Sequence, residues 1–115
     1  MAAIELAWSS RRLEKTCSED RRGCQRWGAD RWAVLKRRLA SLAAAPTLQD
    51  MEGLPGRCHQ LHADRVGEFA ICLWGPYRLV FEPDHNPMPR LLDGGIDRAR
   101  VTRILIKEVI DYHGD

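Results

Sequence analysis

Histidines are the side chains of this chain best suited to move protons near neutral pH. His59 and His62 stand three residues apart, and His113 directly follows Asp111 and Tyr112 after an apolar run. An imidazole titrates near neutral pH and can serve as a general acid or base. Taken singly, each is more often a structural residue, and no G-x-S-x-G, H-E-x-x-H or glycine-rich phosphate motif accompanies them. By motif alone the sequence therefore indicates no particular enzyme.

The four cysteines are the other candidates for chemistry. They are Cys17, Cys24, Cys58 and Cys72, with no C-x-x-C pair among them. A zinc site from Cys17, Cys24, Cys58 and His62 can be drawn, but six residues between the first two cysteines is poor spacing for a zinc knuckle. The pattern favours reduced thiols, so we predict no metal and no other cofactor.

Length and composition predict a single domain spanning residues 1–115. A hydrophobic fraction of 44% can support a core, and no apolar run approaches the roughly 20 residues of a membrane-spanning helix. The first residues lack a basic patch followed by an apolar stretch, so we expect no secretory signal and a cytoplasmic location without membrane partners.

Basic residues are concentrated in the first part of the chain. Residues 1–45 hold 10 Lys and Arg against 5 Asp and Glu, whereas residues 46–115 hold 8 against 11. Of the 18 basic residues 15 are arginine, whose guanidinium pairs well with phosphate. This asymmetry suits an anionic partner such as RNA, although a solvated helix face is the simpler interpretation.

The N-terminal part predicts one strand and two helices. Alternating polarity favours a strand at 4–8, and Ser9 and Ser10 can cap a helix over 11–17. The polar run 18–23 ends in glycine and favours a loop or a frayed helix end.

The strongest helical periodicity predicts a long amphipathic helix over 30–45, which Pro46 ends. Its apolar stripe consists of Trp32, Leu35, Leu39 and Leu42. Its other face is basic and holds Arg31, Lys36, Arg37 and Arg38. These four cations are our candidates for contact with an anionic partner such as RNA.

The C-terminal part predicts strands. The segments 57–62, 68–74 and 77–81 form an antiparallel meander, joined by turns at 63–67 and at Gly75-Pro76. An irregular loop follows at 83–95, then a helical turn over 98–102 capped by Asp97. Residues 103–112 favour a last strand, with a buried helix as the alternative. We therefore expect an α+β fold, with two N-terminal helices packed on a mainly antiparallel sheet of four to five strands.

The segment GRCHQLHADRVGEFAICLWGPYRLVFEP, with IKEVIDYH near the C-terminus, resembles the HigB branch of the RelE superfamily. These proteins are toxins of type II toxin–antitoxin modules, also called plasmid-maintenance killer proteins. The resemblance begins in the long helix and includes RRLASLAAAPTLQDMEGLPG. It implies a RelE-like sheet and a metal-independent endoribonuclease that cuts mRNA in the ribosomal A site. It also implies a cognate HigA-like antitoxin with a helix-turn-helix. With the ribosome as the implied partner, the four cations of the long helix become candidates for contact with it.

The resemblance implies six catalytic positions. They are His59, His62, Arg78, Asp111, Tyr112 and His113, with His62 standing where the family pattern has lysine. Such a site needs a base for the 2′-OH, a cation for the charge on phosphorus and an acid for the leaving oxygen. We expect His113 and His59 to transfer protons and Arg78 to stabilise the phosphorane. Tyr112 would stack on a base, and Asp111 would orient a histidine or contact the base.

Two alternatives to a nuclease remain open at this point. A ParE-like toxin would inhibit DNA gyrase and cut no RNA, which the terminal Asp-Tyr-His argues against. A family member that has lost its activity would bind its antitoxin without cleaving mRNA. The presence of His62 in place of the family's lysine is consistent with that alternative.

Overall fold

The chain forms three helices and one five-stranded mixed sheet in a computed structural model that describes residues 3–112. The elements are β1 (Glu5–Trp8), α1 (Arg11–Ser18), α2 (Asp20–Trp27), α3 (Ala29–Ala44), β2 (His59–Gln60), β3 (Phe69–Cys72), β4 (Tyr77–Pro83) and β5 (Arg103–Asp111). Short 3₁₀ turns lie at Leu48–Met51, Ala63–Arg65 and Arg98–Arg100. The α+β class is confirmed. None of the helices described is long and apolar enough to cross a membrane.

The sheet has the strand order β1-β5-β4-β3-β2. The meander strands pair antiparallel, as predicted. Strand β5 pairs antiparallel with β4 and parallel with β1. A bulge interrupts the pairing of β4 with β5, because Phe81 faces Ile106 and Val80 faces Glu108. Lys107 is therefore the extra residue. A bulge of this kind redirects side chains and is common beside functional sites.

Helix α3 packs on one face of the sheet through the predicted stripe. Its four stripe residues are all buried, and Leu35 and Leu42 are fully so. They share one apolar cluster with Phe69, Phe81 and Ile104 from the strands. A spacing of 3.6 residues per turn keeps the stripe on the side of the helix that meets the sheet.

The prediction of a loop at 18–23 is wrong, because α2 covers most of that segment. Gly23 is buried, and a Cβ atom there would lie 2.3 Å from the ring of Trp32. This glycine therefore allows close packing of α2 on α3 and does not break the helix. Asp20 adds to the same contact, because its carboxylate accepts hydrogen bonds from Trp32 Nε1 at 2.9 Å and Lys36 Nζ at 2.8 Å.

Other local predictions are confirmed. The side chain of Ser10 caps α1 by accepting from the Leu13 N–H at 3.1 Å, and Asp97 caps its 3₁₀ turn in the same way. The β3–β4 hairpin turns at Gly75-Pro76, where the Tyr77 N–H donates to the Trp74 carbonyl at 2.9 Å. The last segment is a strand.

The face of the sheet away from the helices carries its own small cluster. Leu61, Ala70 and Val80 are buried there, with Ile110 and Tyr112 packed against them. No residue of the three described helices belongs to this cluster. We call this side, defined by these five residues, the open face.

Candidate active site

The open face brings together three of the six candidate catalytic residues. His59 pairs with Ala70 across two strands, and paired residues lie on the same face of a sheet. Arg78 is two residues from Val80 in β4, so it also lies on the face of the cluster. Tyr112 packs on the same cluster. Strand spacing separates the backbones of His59 and Arg78 by roughly 12 Å. Their side chains can therefore approach the same ligand.

His59 is held in a defined tautomer by its own loop. Its ring Nδ1 lies 2.6 Å from the carbonyl oxygen of Arg57. A carbonyl only accepts, so Nδ1 carries the proton in the neutral ring and the basic lone pair is on Nε2. The short strand β2 thus holds a half-buried residue whose basic nitrogen, Nε2, is itself buried against the protein.

His62 lies just beyond the end of β2. The strand stops at Gln60, and His62 is an exposed residue that begins the 3₁₀ turn of residues 63–65. The alternation of a regular strand would have put His59 and His62 on opposite faces, but it no longer applies at this position. The contribution of His62 to the site stays a prediction.

Arg78 is anchored at the hairpin end of β4. Its guanidinium donates to the carbonyl oxygens of Gly75 at 3.1 Å and Tyr77 at 3.0 Å. The guanidinium stays charged at all relevant pH values, so it can stabilise negative charge on a phosphate.

The terminal Asp-Tyr-His motif is divided by the geometry of β5. Asp111 pairs with Tyr77, whose ring stacks 5.5 Å from Trp74 on the helix side. Asp111 therefore occupies a helix-side position, and Tyr112 is on the open face. His113 lies outside the described residues, so its predicted proton transfer stays a prediction.

The ring of Tyr112 already has a cationic neighbour. The guanidinium carbon of Arg65 lies 5.4 Å from the ring centroid, within the range of a cation–π contact. The backbone N–H of Tyr112 donates to the Pro76 carbonyl at 3.0 Å, which holds this end of the chain beside β4. A nucleobase on this surface would meet the guanidinium plane as well as the ring.

An ionic network on the open face is the feature that sequence reasoning missed. Arg65 contacts Glu68 at 2.7 Å and Glu108 at 3.1 Å, while Lys107 contacts Glu68 and, at 3.7 Å, Glu82. We call these five residues the open-face network. Arg65 and Glu108 are 43 residues apart in sequence, and Glu68 and Lys107 are 39 apart. Only the register of β4 with β5 and the bulge at Lys107 bring them together, so local sequence patterns do not reveal the network.

Glu68 is the centre of this network and is largely buried. Burial alone would raise the pKa of its carboxyl, but hydrogen bonds from Lys107 and Arg65 outweigh burial and hold the pKa below its ordinary value. The hydrogen bond to Glu68 is also the main reason that the pKa of Lys107 is raised. The charged form of each partner is thus stabilised by the fold at neutral pH.

The open-face network should make stability depend on pH through Glu68. A lowered carboxyl pKa adds stability above the ordinary value of 4.5, and that contribution is lost as pH falls through the lower folded value. Glu68→Gln should therefore reduce the unfolding free energy by about 1–3 kcal/mol at pH 7, and by less at pH 3.5. Urea unfolding at both pH values measures this. Glu14→Gln, at an exposed carboxylate, is the control. If Glu68→Gln lowers the unfolding free energy as much at pH 3.5 as at pH 7, the charge of Glu68 is not the source of the stability.

The four candidate RNA-contacting cations of α3 do not form one face. At 100° per residue, Arg31 and Arg38 flank the buried stripe on one side, Lys36 flanks it on the other and Arg37 points outward. Arg31 lies 5.8 Å from the Trp74 ring, and Lys36 pairs with Asp20 at 2.8 Å. Arg31 and Lys36 therefore already have partners within the protein. Their role in binding RNA or the ribosome stays a prediction.

All four cysteines are free thiols, of which Cys17 is buried and Cys24 is exposed. Burial raises the pKa of Cys17 and of Cys58 to about 12, so both stay protonated at neutral pH. In residues 3–112 no group of three or more His, Cys, Asp or Glu is arranged to hold a metal ion.

Two comparisons with known proteins were informative only in the negative. A scan against protein-family models found no match. A search of curated proteins likewise found none. Function must therefore be inferred from the chemistry of the open face and from the sequence resemblance.

Proposed function

We propose that the chain is the toxin of a type II toxin–antitoxin module and cleaves mRNA on the ribosome without a metal. One observation carries the proposal: His59, Arg78 and Tyr112 share a face of the sheet that no described helix covers. His59 Nε2 is buried in the free protein, so the imidazole must turn outward when RNA binds. The side chains of this face combine a base, a phosphate-binding cation and a stacking surface, the types that RNA cleavage requires.

The reaction begins with the 2′-OH of the nucleotide before the cut. His59 Nε2 removes its proton, and the oxygen attacks phosphorus while Arg78 stabilises the added negative charge. The bond from phosphorus to the 5′-oxygen then breaks. That oxygen takes a proton from a general acid, the role proposed for His113. The products are a 2′,3′-cyclic phosphate and a 5′-OH end.

Arg65 refines the proposed role of Tyr112. Bases of single-stranded RNA stack on aromatic rings and also on arginine guanidinium planes. Because Arg65 already lies over the Tyr112 ring, the two side chains together offer one stacking surface. The helix-side position of Asp111 favours an indirect role for it, through the end of β5, over contact with the base.

A second candidate function rests on the charge of the open-face network. Two cations, Arg65 and Lys107, stand against the carboxylates of Glu68, Glu82 and Glu108, so the network carries a net charge of −1. Carboxylates repel phosphate. This observation favours a member of the family that binds its HigA-like antitoxin without cutting mRNA.

Induced expression with primer extension on a reporter message tests the two functions. The proposal expects growth arrest and cuts spaced by codons in the translated reporter, and no cuts when its start codon is removed. Arrest with intact mRNA and induction of DNA-damage responses would instead indicate a gyrase inhibitor. Co-expression with the cognate helix-turn-helix protein should restore growth in either case, whereas no arrest at all would indicate the family member that has lost its activity.

A further inference from the structure

Strand β5 extends well beyond its partner β1. Their pairing ends where Trp8 meets Ile106, but β5 continues to Asp111. Ser9 closes the pairing, because its N–H donates to the Ile106 carbonyl at 2.9 Å and its hydroxyl to the Lys107 carbonyl at 2.7 Å. Within the described chain, no strand adjoins this edge of β5 from residue 108 to 111.

The backbone of this segment points donors and acceptors outward. The Tyr112 N–H donates to Pro76, on the side of β4. Backbone groups of successive strand residues alternate between the two edges. The N–H and C=O of Val109, three residues earlier, are therefore directed away from β4 toward the edge that β1 leaves uncovered. An edge of this kind is a template for pairing with another strand.

A cleft of about 740 Å³ lies between this edge and the first two helices. Leu13 of α1, Trp27 of α2 and Val109 of β5 give it apolar walls. Arg12, Arg22 and Arg26 line the same cleft from the helices. The cleft is separate from the His59 end of the open face, because it lies at the opposite side of the sheet order.

The positive charge of the cleft favours binding of an acidic ligand. The helix residues that line the cleft include three arginines and no carboxylate, a net charge of +3, whereas Lys107 and Glu108 of the same lining form ion pairs within the open-face network. Arg22 is partly neutralised by Glu19 at 3.0 Å, whereas Arg12 and Arg26 are exposed and form no salt bridge with a carboxylate of residues 3–112. A strand edge needs alternating N–H and C=O partners, which a polypeptide supplies and a nucleic acid does not.

We propose that the edge of β5 that β1 leaves uncovered is a docking site for an extended acidic segment of a partner protein. The segment adds as a further strand beside residues 108–110, centred on Val109. Its apolar side chains pack against Leu13 and Trp27, and its carboxylates meet Arg12 and Arg26. Main-chain hydrogen bonds supply affinity in such strand addition, and the flanking pockets supply specificity. This site is independent of the proposed cleavage of mRNA.

A synthetic peptide tests the site. Capped (Glu-Val)₄ should bind the full chain in calorimetry, and capped (Lys-Val)₄ should not. The double variant Arg12→Glu, Arg26→Glu should weaken binding about tenfold or more, since two favourable charge pairs become repulsive. Arg11→Glu with Arg21→Glu makes the same change in net charge outside the cleft and should leave affinity within about twofold. Amide exchange of Val109 should slow on peptide binding.

Four results would overturn the proposal. The first is equal loss of affinity in both double variants, which would indicate charge attraction without a site. The second is peptide binding that leaves the exchange of Val109 unchanged. The third is that an eight-nucleotide oligouridine binds through Arg12 and Arg26 while the peptide does not. The fourth is that the free chain already pairs this edge in a dimer. None of these results bears on mRNA cleavage.

Discussion

Replacing His59 with alanine should lower the rate of mRNA cleavage by about 10²–10⁴-fold without unfolding the protein. The expected loss is large because the Arg57 carbonyl fixes the ring with its basic nitrogen at Nε2, on the same face as Arg78. A positioned base contributes this much when it removes a proton in the transition state. Single-turnover cleavage on programmed ribosomes measures the effect, with circular dichroism to verify the fold.

His85 offers a matched histidine control. Its Nε2 accepts from the backbone N–H groups of Thr102 at 3.0 Å and Arg103 at 3.3 Å, so it has a structural role in the loop before β5. His85→Ala should reduce stability but keep the cleavage rate of folded molecules. Equal cleavage by the His59→Ala variant and the unaltered chain would remove His59 from the mechanism.

Leu39→Ala should lower the unfolding free energy by about 2–5 kcal/mol, the range for a buried leucine in a close-packed core. Leu39 is 7% exposed and belongs to the cluster that joins α3 to the sheet. Truncation removes apolar contacts and leaves a cavity that the neighbouring side chains fill only in part. Urea denaturation at neutral pH gives the value.

Val66→Ala is the comparison, because that side chain is 77% exposed and should change stability by no more than about 0.5 kcal/mol. A cost for Leu39→Ala as small as that of Val66→Ala would mean that α3 does not bury its stripe against the sheet.

The sequence predicts those parts of the fold whose cause is local. The stripe of α3 follows from helical periodicity, and the β3–β4 hairpin follows from Gly75-Pro76 between two alternating segments. Ser10 and Asp97 cap the turns that follow them through hydrogen bonds to nearby backbone. Each of these features depends on contacts within a few residues, which is why the sequence pattern is sufficient.

The parts that the sequence does not predict depend on distant contacts. Gly23 has the pattern of a helix end, and only its contact with Trp32 of another helix explains why a glycine stands there. The open-face network needs the register of β5 and its bulge, which place Lys107 beside Glu68. The sequence shows that α3 is rich in arginine. Only the structure shows that Arg31 lies against the ring of Trp74, which comes from the distant β3–β4 turn.

The candidate site shows the same division. The resemblance names residue types at His59 and Arg78, and the alternation of a strand is by itself enough to put Asp111 and Tyr112 on opposite faces. Sequence could not show that the two meander residues share an uncovered face, because that depends on which face the helices occupy.

Cleavage on a programmed ribosome tests the central claim most directly. Purified protein is mixed with ribosomes that hold a labelled mRNA and a defined codon in an empty A site, and with the same mRNA alone. We expect a cut within the A-site codon that leaves a 2′,3′-cyclic phosphate, no cut in the free mRNA, and loss of cutting in the His59→Ala variant. Intact mRNA on the ribosome, with protein that is folded and bound there, would contradict the proposed cleavage.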